Sequence, residues 1–363
     1  MKNSLALGFL SASTVLLSFP ILQAEAIPKN TQTFEQWCLQ KDSLPSETKH
    51  TIEVLLKKAE TKDCKVADSK LSTYYELSLY NNQISDIRPL SGLTKLKKLD
   101  ISSNQISDLQ PLIDLTSLTR LDLFSNQVSE LKPLTNLKNL KELILHDNKI
   151  SDLKPLSSLT NLSVLELGNN KISDLKPLSS LTNLSNLFLY NNQIDNLQPL
   201  VGLTKLTSLS LGGNHVSNTR PLANLIDLTW LDLWRNNIRD IESIAGLTNL
   251  IILDLGSNRV SNIKPLSGLT KLTILGIYLN QISDIKPLSE LTNLTKLGIF
   301  DNQISDLTPL SGLNNLSVLD LANNQVRDAR TLSGLTNLTR LDLSKNLINE
   351  KVCPFKPETI CKF

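Results

Sequence analysis

Apolar residues in this chain recur on a period of 22 residues. One unit, from Leu96 to Ser117, places Leu96, Leu99 and Ile101 before Asn104, and Ile106, Leu109, Leu112 and Leu115 after it. Leu99-Asp100-Ile101 alternates apolar and polar, as a short strand with one buried face should. Asn104 then turns the chain. Asp108 is placed to cap a short helical or 3-10 turn, and Pro111 sits where a helix start tolerates proline. That proline recurs in ten of twelve units, at Pro89, Pro111, Pro133, Pro155, Pro177, Pro199, Pro221, Pro265, Pro287 and Pro309, with Ser243 and Thr331 in the other two.

The asparagine never slips. It stands at Asn82, Asn104, Asn126, Asn148, Asn170, Asn192, Asn214, Asn236, Asn258, Asn280, Asn302, Asn324 and Asn346. A constant period of this length predicts stacked coils, hence a rod or arc. At the strand exit the chain bends inward and leaves backbone groups without ladder partners. An asparagine amide, with two donors and one acceptor oxygen, is expected to satisfy the turn and to bond the asparagine of the next coil.

Before the array the pattern changes. Pro45-Ser46-Glu47 opens a helical stretch with Ser46 as the expected N-cap, and Ile52, Leu55, Leu56 and Ala59 form a helical stripe. Leu71 already fits the last leucine of a repeat. The expected organisation is a signal peptide over 1–26, a helical cap over 27–70, thirteen repeats over 71–348, and a C-terminal cap over 349–363.

Leu96-x-x-Leu99-x-Ile101-x-x-Asn104-x-Ile106-x-x-Leu109-x-x-Leu112-x-x-Leu115 resembles a leucine-rich repeat. The 22-residue length with Ser107-Asp108-Leu109-Gln110-Pro111-Leu112 resembles the bacterial internalin subclass. The resemblance covers roughly three quarters of the chain, residues 71–348. It implies an α/β leucine-rich-repeat solenoid, a right-handed superhelix with a parallel β-sheet on the concave face and 3-10 or short helical turns on the convex face. It also implies a partner held in the concave groove. The chain departs from the Listeria internalins in having cysteines in both caps, no immunoglobulin-like domain after the array and no wall-sorting signal, so host-cell invasion is not expected. The period also resembles the leucine-rich regulatory subunit of protein phosphatase 1, which makes an intracellular phosphatase-type regulator the alternative function.

Composition narrows the field. Lys and Arg number 37 against 35 Asp and Glu, a net charge of +2, which argues against a nucleic-acid partner. Lys2, an apolar stretch from Leu5 to Leu22 and Ala24-Glu25-Ala26 read as a cleavable secretory signal. No second apolar run long enough to span a bilayer follows, so no stable membrane insertion is expected after cleavage. Secretion, or retention in the periplasm or cell envelope, follows. In an exported chain the four cysteines, Cys38, Cys64, Cys353 and Cys361, suggest disulfides. The array holds its ends roughly 50–60 Å apart, which leaves Cys38–Cys64 and Cys353–Cys361 as the feasible pairs. A shared metal is the rival reading, but the two pairs are too distant to share an ion, and His50, His146 and His215 lie outside both.

Aromatics are scarce, at 4%. The outward column two residues before the asparagine holds Tyr80, Phe124, Tyr190, Trp234, Tyr278 and Phe300, with His146 among them, and neighbouring columns add Phe188 and Trp230. One reading is space-filling between ladder neighbours. The other is a recognition surface built from Phe124, Phe188, Tyr190, Trp230, Trp234, Tyr278 and Phe300. Tyr190 to Phe300 spans about 24 Å at 4.8 Å per strand, suited to a protein loop, a peptide or a polysaccharide chain. Asp122, Glu142, Glu166, Asp232, Asp254, Asp301 and Asp320 share that face with Arg235 and Lys296.

On the opposite side an acidic column (Asp86, Asp108, Glu130, Asp152, Asp174, Asp240, Asp284, Asp306, Asp328) precedes a basic one by two residues. The two largely cancel, which predicts a solvated surface laced with salt bridges. No nucleophile–histidine–acid set, phosphate loop or metal-ligand spacing is present, so neither an enzyme nor a cofactor is expected.

Overall fold

The computed structural model describes residues 32–350 and 352–363. The expected signal peptide lies outside the described residues. Three helices open the described chain: α1 (Phe34–Leu39), α2 (Ser46–Lys58) and α3 (Cys64–Leu71). Fourteen short parallel strands then form one sheet, each hydrogen-bonded to the next in sequence order. Short 3-10 turns on the far side link the strands, most of them with proline in the first turn.

Every strand from Glu76–Ser78 to Arg340–Asp342 is three residues long and in register with its neighbours at the 22-residue period. The central leucine points inward, and Leu121, Leu143, Leu165 and Leu187 are fully buried. Core and period are therefore one object: each coil contributes the same leucines, and stacking buries them against the coils on either side.

The amide ladder differs from the sequence expectation in one respect. The Asn214 oxygen accepts from the Ile194 N–H at 3.0 Å, and its nitrogen donates to the carbonyls of Leu189 (2.9 Å), Leu211 (2.9 Å) and Gly212 (3.3 Å). From Asn104 onward the side-chain bonds run to the residue's own turn and to the backbone of the preceding coil, not to a neighbouring asparagine side chain; at the first coil the Asn104 oxygen also accepts the Asn82 backbone N–H at 3.1 Å. A carbonyl has two lone pairs, so Leu189 serves both Asn192 and Asn214. The residue just before each ladder asparagine is left-handed in all thirteen coils, with φ between 50° and 66°.

The acidic column also proves to be turn chemistry. Carboxylates of Asp108, Asp152, Asp174 and Asp284 accept the backbone N–H two residues on at 2.8–2.9 Å, and the amide oxygens of Asn196, Asn218 and Asn262 do so at 2.9–3.1 Å where asparagine replaces the acid. The expected lacing of salt bridges is thin, because the carboxylates already face the turn. Among the described residues only Asp86–Arg88 and Asp328–Arg330 pair along these columns. A second amide ladder on this side was not anticipated: Asn161, Asn183 and Asn293 donate to a carbonyl one coil back at 2.8–2.9 Å. Where Ser243 replaces proline, the preceding coil has Thr219 in place of leucine, and the two hydroxyls bond at 2.6 Å.

The helices meet the first coil through polar contacts. Buried Thr51 of α2 donates to the Asp86 carbonyl at 2.6 Å, and a His50 ring nitrogen lies 2.6 Å from the Asn82 carbonyl. Burial pushes the Asp86 carboxyl up, but hydrogen bonds from Arg88 and Thr48 outweigh it and hold it below the usual carboxylate range. The stripe of Ile52, Leu55, Leu56 and Ala59 is buried as expected. The N-cap is not: Pro45 takes that position and Ser46 is the first helical residue, since Pro45 supplies the extended backbone a cap needs.

Both cysteine pairs are disulfides, Cys38–Cys64 and Cys353–Cys361, with Cα atoms 5.5 and 5.7 Å apart. The second does more than close a loop. Cys361 begins the fourteenth strand, Cys361–Lys362, which pairs in parallel with Leu341–Asp342 and covers the last edge. Lys362 bonds Asp342 at 2.8 Å, and Phe355 packs into the core. Replacing Cys353 and Cys361 by serine should cost about 2.5 kcal/mol, from the entropy of a short cross-linked loop. The check is urea denaturation of the oxidised protein against the double variant; equal midpoints would mean the strand holds itself.

Candidate functional site

Outward residues on the sheet lie six, four and two positions before each ladder asparagine. The seven aromatics singled out in the sequence all lie there, and all are half-buried rather than free-standing. Glycines explain how they lie down. A Cβ at Gly168 would fall 2.3 Å from Tyr190 Cζ, and one at Gly256 would fall 2.2 Å from Tyr278 Cζ. Each tyrosine ring therefore rests on the bare backbone of the preceding coil.

The aromatics divide into two groups. In the first half Phe124 stacks on His146, with centroids 4.2 Å apart, and the Tyr190 hydroxyl lies 3.1 Å from His146 Nδ1. Several charges there are matched within the chain: Lys98 with Glu76, Arg120 with Glu142 and Asp122, and His146 beside Glu166 at 3.6 Å. Burial pushes the Glu166 and Asp122 carboxyls up.

The second half holds a groove of about 520 Å³. Trp230 and Trp234 stand at one end, Tyr278 and Phe300 further along, and Ile252 and Ile274 line it with Gly276 and Gly298. Phe188 extends the first wall, its ring 5.4 Å from that of Trp230. Tyr278 and Phe300 stack at 4.6 Å. The Tyr278 hydroxyl donates to Asp254 at 3.1 Å; burial, then the nearby Asp254 charge, push its titration upward. Burial likewise raises Asp254, against a backbone hydrogen bond from Gly256 that lowers it, and raises Asp320.

Trp230, Trp234, Tyr278 and Phe300 are thus brought together, Phe188 adjoins them, and Phe124 and Tyr190 belong to the other group. Sequence reasoning passed over Ile252, Ile274, Gly276 and Gly298. Their signal was present: the outward column six before the asparagine turns apolar at Trp230, Ile252 and Ile274, and the column four before it turns to glycine at 276 and 298. Outward strand positions have no folding reason to be apolar.

One more anomaly borders the groove. The left-handed position is Asn, Asp, Ser or Gly in ten coils, but Arg235 follows Trp234 and Leu279 follows Tyr278. Leu279 has φ 51° and is 46% exposed. A leucine there is strained, so Leu279→Asn should stabilise the protein by about 1 kcal/mol. A shift of the urea midpoint measures it; no gain would mean the side chain packs better than its exposure indicates.

Among the described residues no group of His, Cys, Asp and Glu is arranged to hold a metal, and no helix is long and apolar enough to cross a membrane.

The profile described as Leucine Rich repeats (2 copies) matches residues 76–114, 94–136, 116–158, 138–180, 182–224, 226–268, 270–312 and 314–356. The chain is similar to the crystal structure of an internalin (inlF) from Listeria monocytogenes, with 35% identity, a TM-score of 0.81, and coverage of 86% of this chain and 93% of that one. It is also similar to internalin C2 of the same organism, with 40% identity and a TM-score of 0.51 over 52% of this chain and 83% of that one. A leucine-rich-repeat protein of Leptospira interrogans shares the fold, at 24% identity, a TM-score of 0.62, and coverage of 78% and 93%. No curated protein sequence matches significantly.

Proposed function

The chain belongs to the leucine-rich-repeat family, of internalin type, and from that premise we propose that it is an exported recognition module whose concave groove binds a protein ligand. Leucine-rich-repeat scaffolds of this kind are protein-interaction modules and are generally non-enzymatic. The observation that carries the proposal is the groove, where four large aromatics and two isoleucines occupy outward positions that the repeat leaves free. Aromatic anchors in a partly desolvated depression are the usual energetic centre of an interface. Export is supported by the signal-like N-terminus and by two disulfides, which persist in oxidising compartments.

A protein ligand suits the groove better than a glycan. Beside the polar groups of Asp232, Asp254, Asp320 and Lys296, the strip of Ile252, Ile274, Gly276 and Gly298 leaves space that the apolar side chains of a loop or peptide would fill and sugar hydroxyls would not. The test is capture from native envelope and culture medium with immobilised protein, wild type beside a Trp234→Ala/Tyr278→Ala variant. A protein retained by the first and lost by the second supports the proposal. Equal retention by both overturns the groove as the site.

A further inference from the structure

Carboxylates on the concave face differ in how their charge is answered, inside the groove and outside it. Glu76, Asp122, Glu142 and Asp342 each have a Lys or Arg of this chain within 4 Å. The groove is lined by Asp232, Asp254 and Asp320 against the single cation Lys296. None of these three carboxylates forms an ion pair among the described residues. Asp232 and Asp254 are register partners on adjacent strands, one strand spacing apart.

Their hydrogen bonds are all to neutral groups. Asp232 accepts from Ser210 Oγ at 2.7 Å and the Trp234 N–H at 3.0 Å, and Asp254 accepts from the Gly256 N–H at 2.8 Å and the Tyr278 hydroxyl. These bonds fix the carboxylates in place but leave their charge uncompensated. Like charges side by side beneath aromatic walls repel one another, and low solvent access deepens the cost. A cation entering the groove relieves that repulsion beside the Trp230 ring, while the Trp234 ring already has the Arg235 guanidinium 5.8 Å from its centroid.

We propose that the groove selects a protein segment in which a cationic side chain, arginine or lysine, stands beside apolar residues. The cation lies over Asp232 and Asp254, and the apolar side chains fill the space along Ile274 and Phe300. This rests on the groove being the ligand site and adds the chemistry of what it takes. The glycines fit the same picture: Gly276 and Gly298 stand where other coils carry Asp100, Asp122 or Glu166, so no side chain fills those two positions just beyond the acidic pair.

The experiment is selection of random twelve-residue phage-displayed peptides on the immobilised protein, then fluorescence anisotropy with the winning peptides. Targets are wild type, Asp232→Asn/Asp254→Asn and Trp234→Ala, each with its unfolding midpoint measured. The expected result is peptides carrying Arg or Lys next to apolar residues, with affinity about tenfold or more weaker for the Asp232→Asn/Asp254→Asn variant at a midpoint no lower than wild type. Replacing the peptide cation by glutamine should weaken wild-type binding about equally and make the two proteins alike. Peptides lost with Trp234→Ala but lacking a cation, or indifferent to the carboxylate variant, overturn the proposed chemistry while leaving the groove standing. Peptides indifferent to Trp234→Ala, or no selection at all, overturn the groove itself.

Discussion

Replacing Asn214 by leucine is expected to cost about 4 kcal/mol. Asn214 is 5% exposed, so nothing it bonds can turn to water instead. Its loss leaves the Ile194 N–H with no acceptor, a buried orphan donor that alone costs about 2 kcal/mol. The carbonyls lose less. Leu189 keeps Asn192, Leu211 keeps Asn236 at 2.9 Å, and Gly212 keeps the Asn191 N–H at 2.7 Å, so each gives up one of two bonds. Three such losses at roughly 0.5–1 kcal/mol each complete the figure.

Asn214→Asp separates hydrogen bonding from bulk. Aspartate keeps the shape and the acceptor for Ile194 but cannot donate, and it turns a charge toward three carbonyls. It should cost more than leucine at neutral pH and regain part of the loss in acid, as protonation restores a donor. Urea denaturation at both pH values measures the pair. If leucine proved worse than aspartate under both conditions, volume rather than donors would govern the ladder. Because coils contact only their neighbours, the damage should also appear locally, as faster amide exchange around 189–236 before the ends respond.

The ladder marks the boundary between what the chain's sequence makes legible and what it does not. Period, strand, turn and core could all be read because the repeat places identical demands on each coil, and Leu99, Asn104 and Pro111 answer them identically in coil after coil. The acidic column misled because a carboxylate two residues before a lysine looks like half of an ion pair. Only the backbone geometry shows Asp152 and Asp174 turned toward an N–H instead. The fourteenth strand was invisible because Cys361–Lys362 is too short to carry a periodic signal, and the loop that returns it to the sheet is closed by the Cys353–Cys361 disulfide. The aromatics were legible as residues but not as groups, since side-chain direction decides which coil a ring covers. Tyr190 turns back over Gly168 toward His146 and so leaves the groove, although it shares its column with Trp234 and Tyr278.

That direction also decides what removing the groove aromatics should do. Trp234→Ala with Tyr278→Ala is expected to weaken ligand binding about a thousandfold, from two anchors worth roughly 2 kcal/mol each at the centre of an interface. Neither side chain belongs to the leucine core, so the array should stay folded. Tyr278 does contribute its stack on Phe300 and its bond to Asp254, and a modest fall in midpoint is expected from these. Tyr278→Phe divides the two contributions: it keeps the ring on Gly256 and Phe300 and loses only the hydroxyl. If shape is what the ligand meets, binding should survive Tyr278→Phe. Gly256→Val is the complementary change, because it touches no groove surface yet drives a side chain into the space of the Tyr278 ring. Binding that falls with Gly256→Val and persists with Tyr278→Phe would mean the ligand recognises the ring where the glycine lets it lie. Binding indifferent to both, and to the double alanine variant, would reduce these aromatics to filler between neighbouring coils.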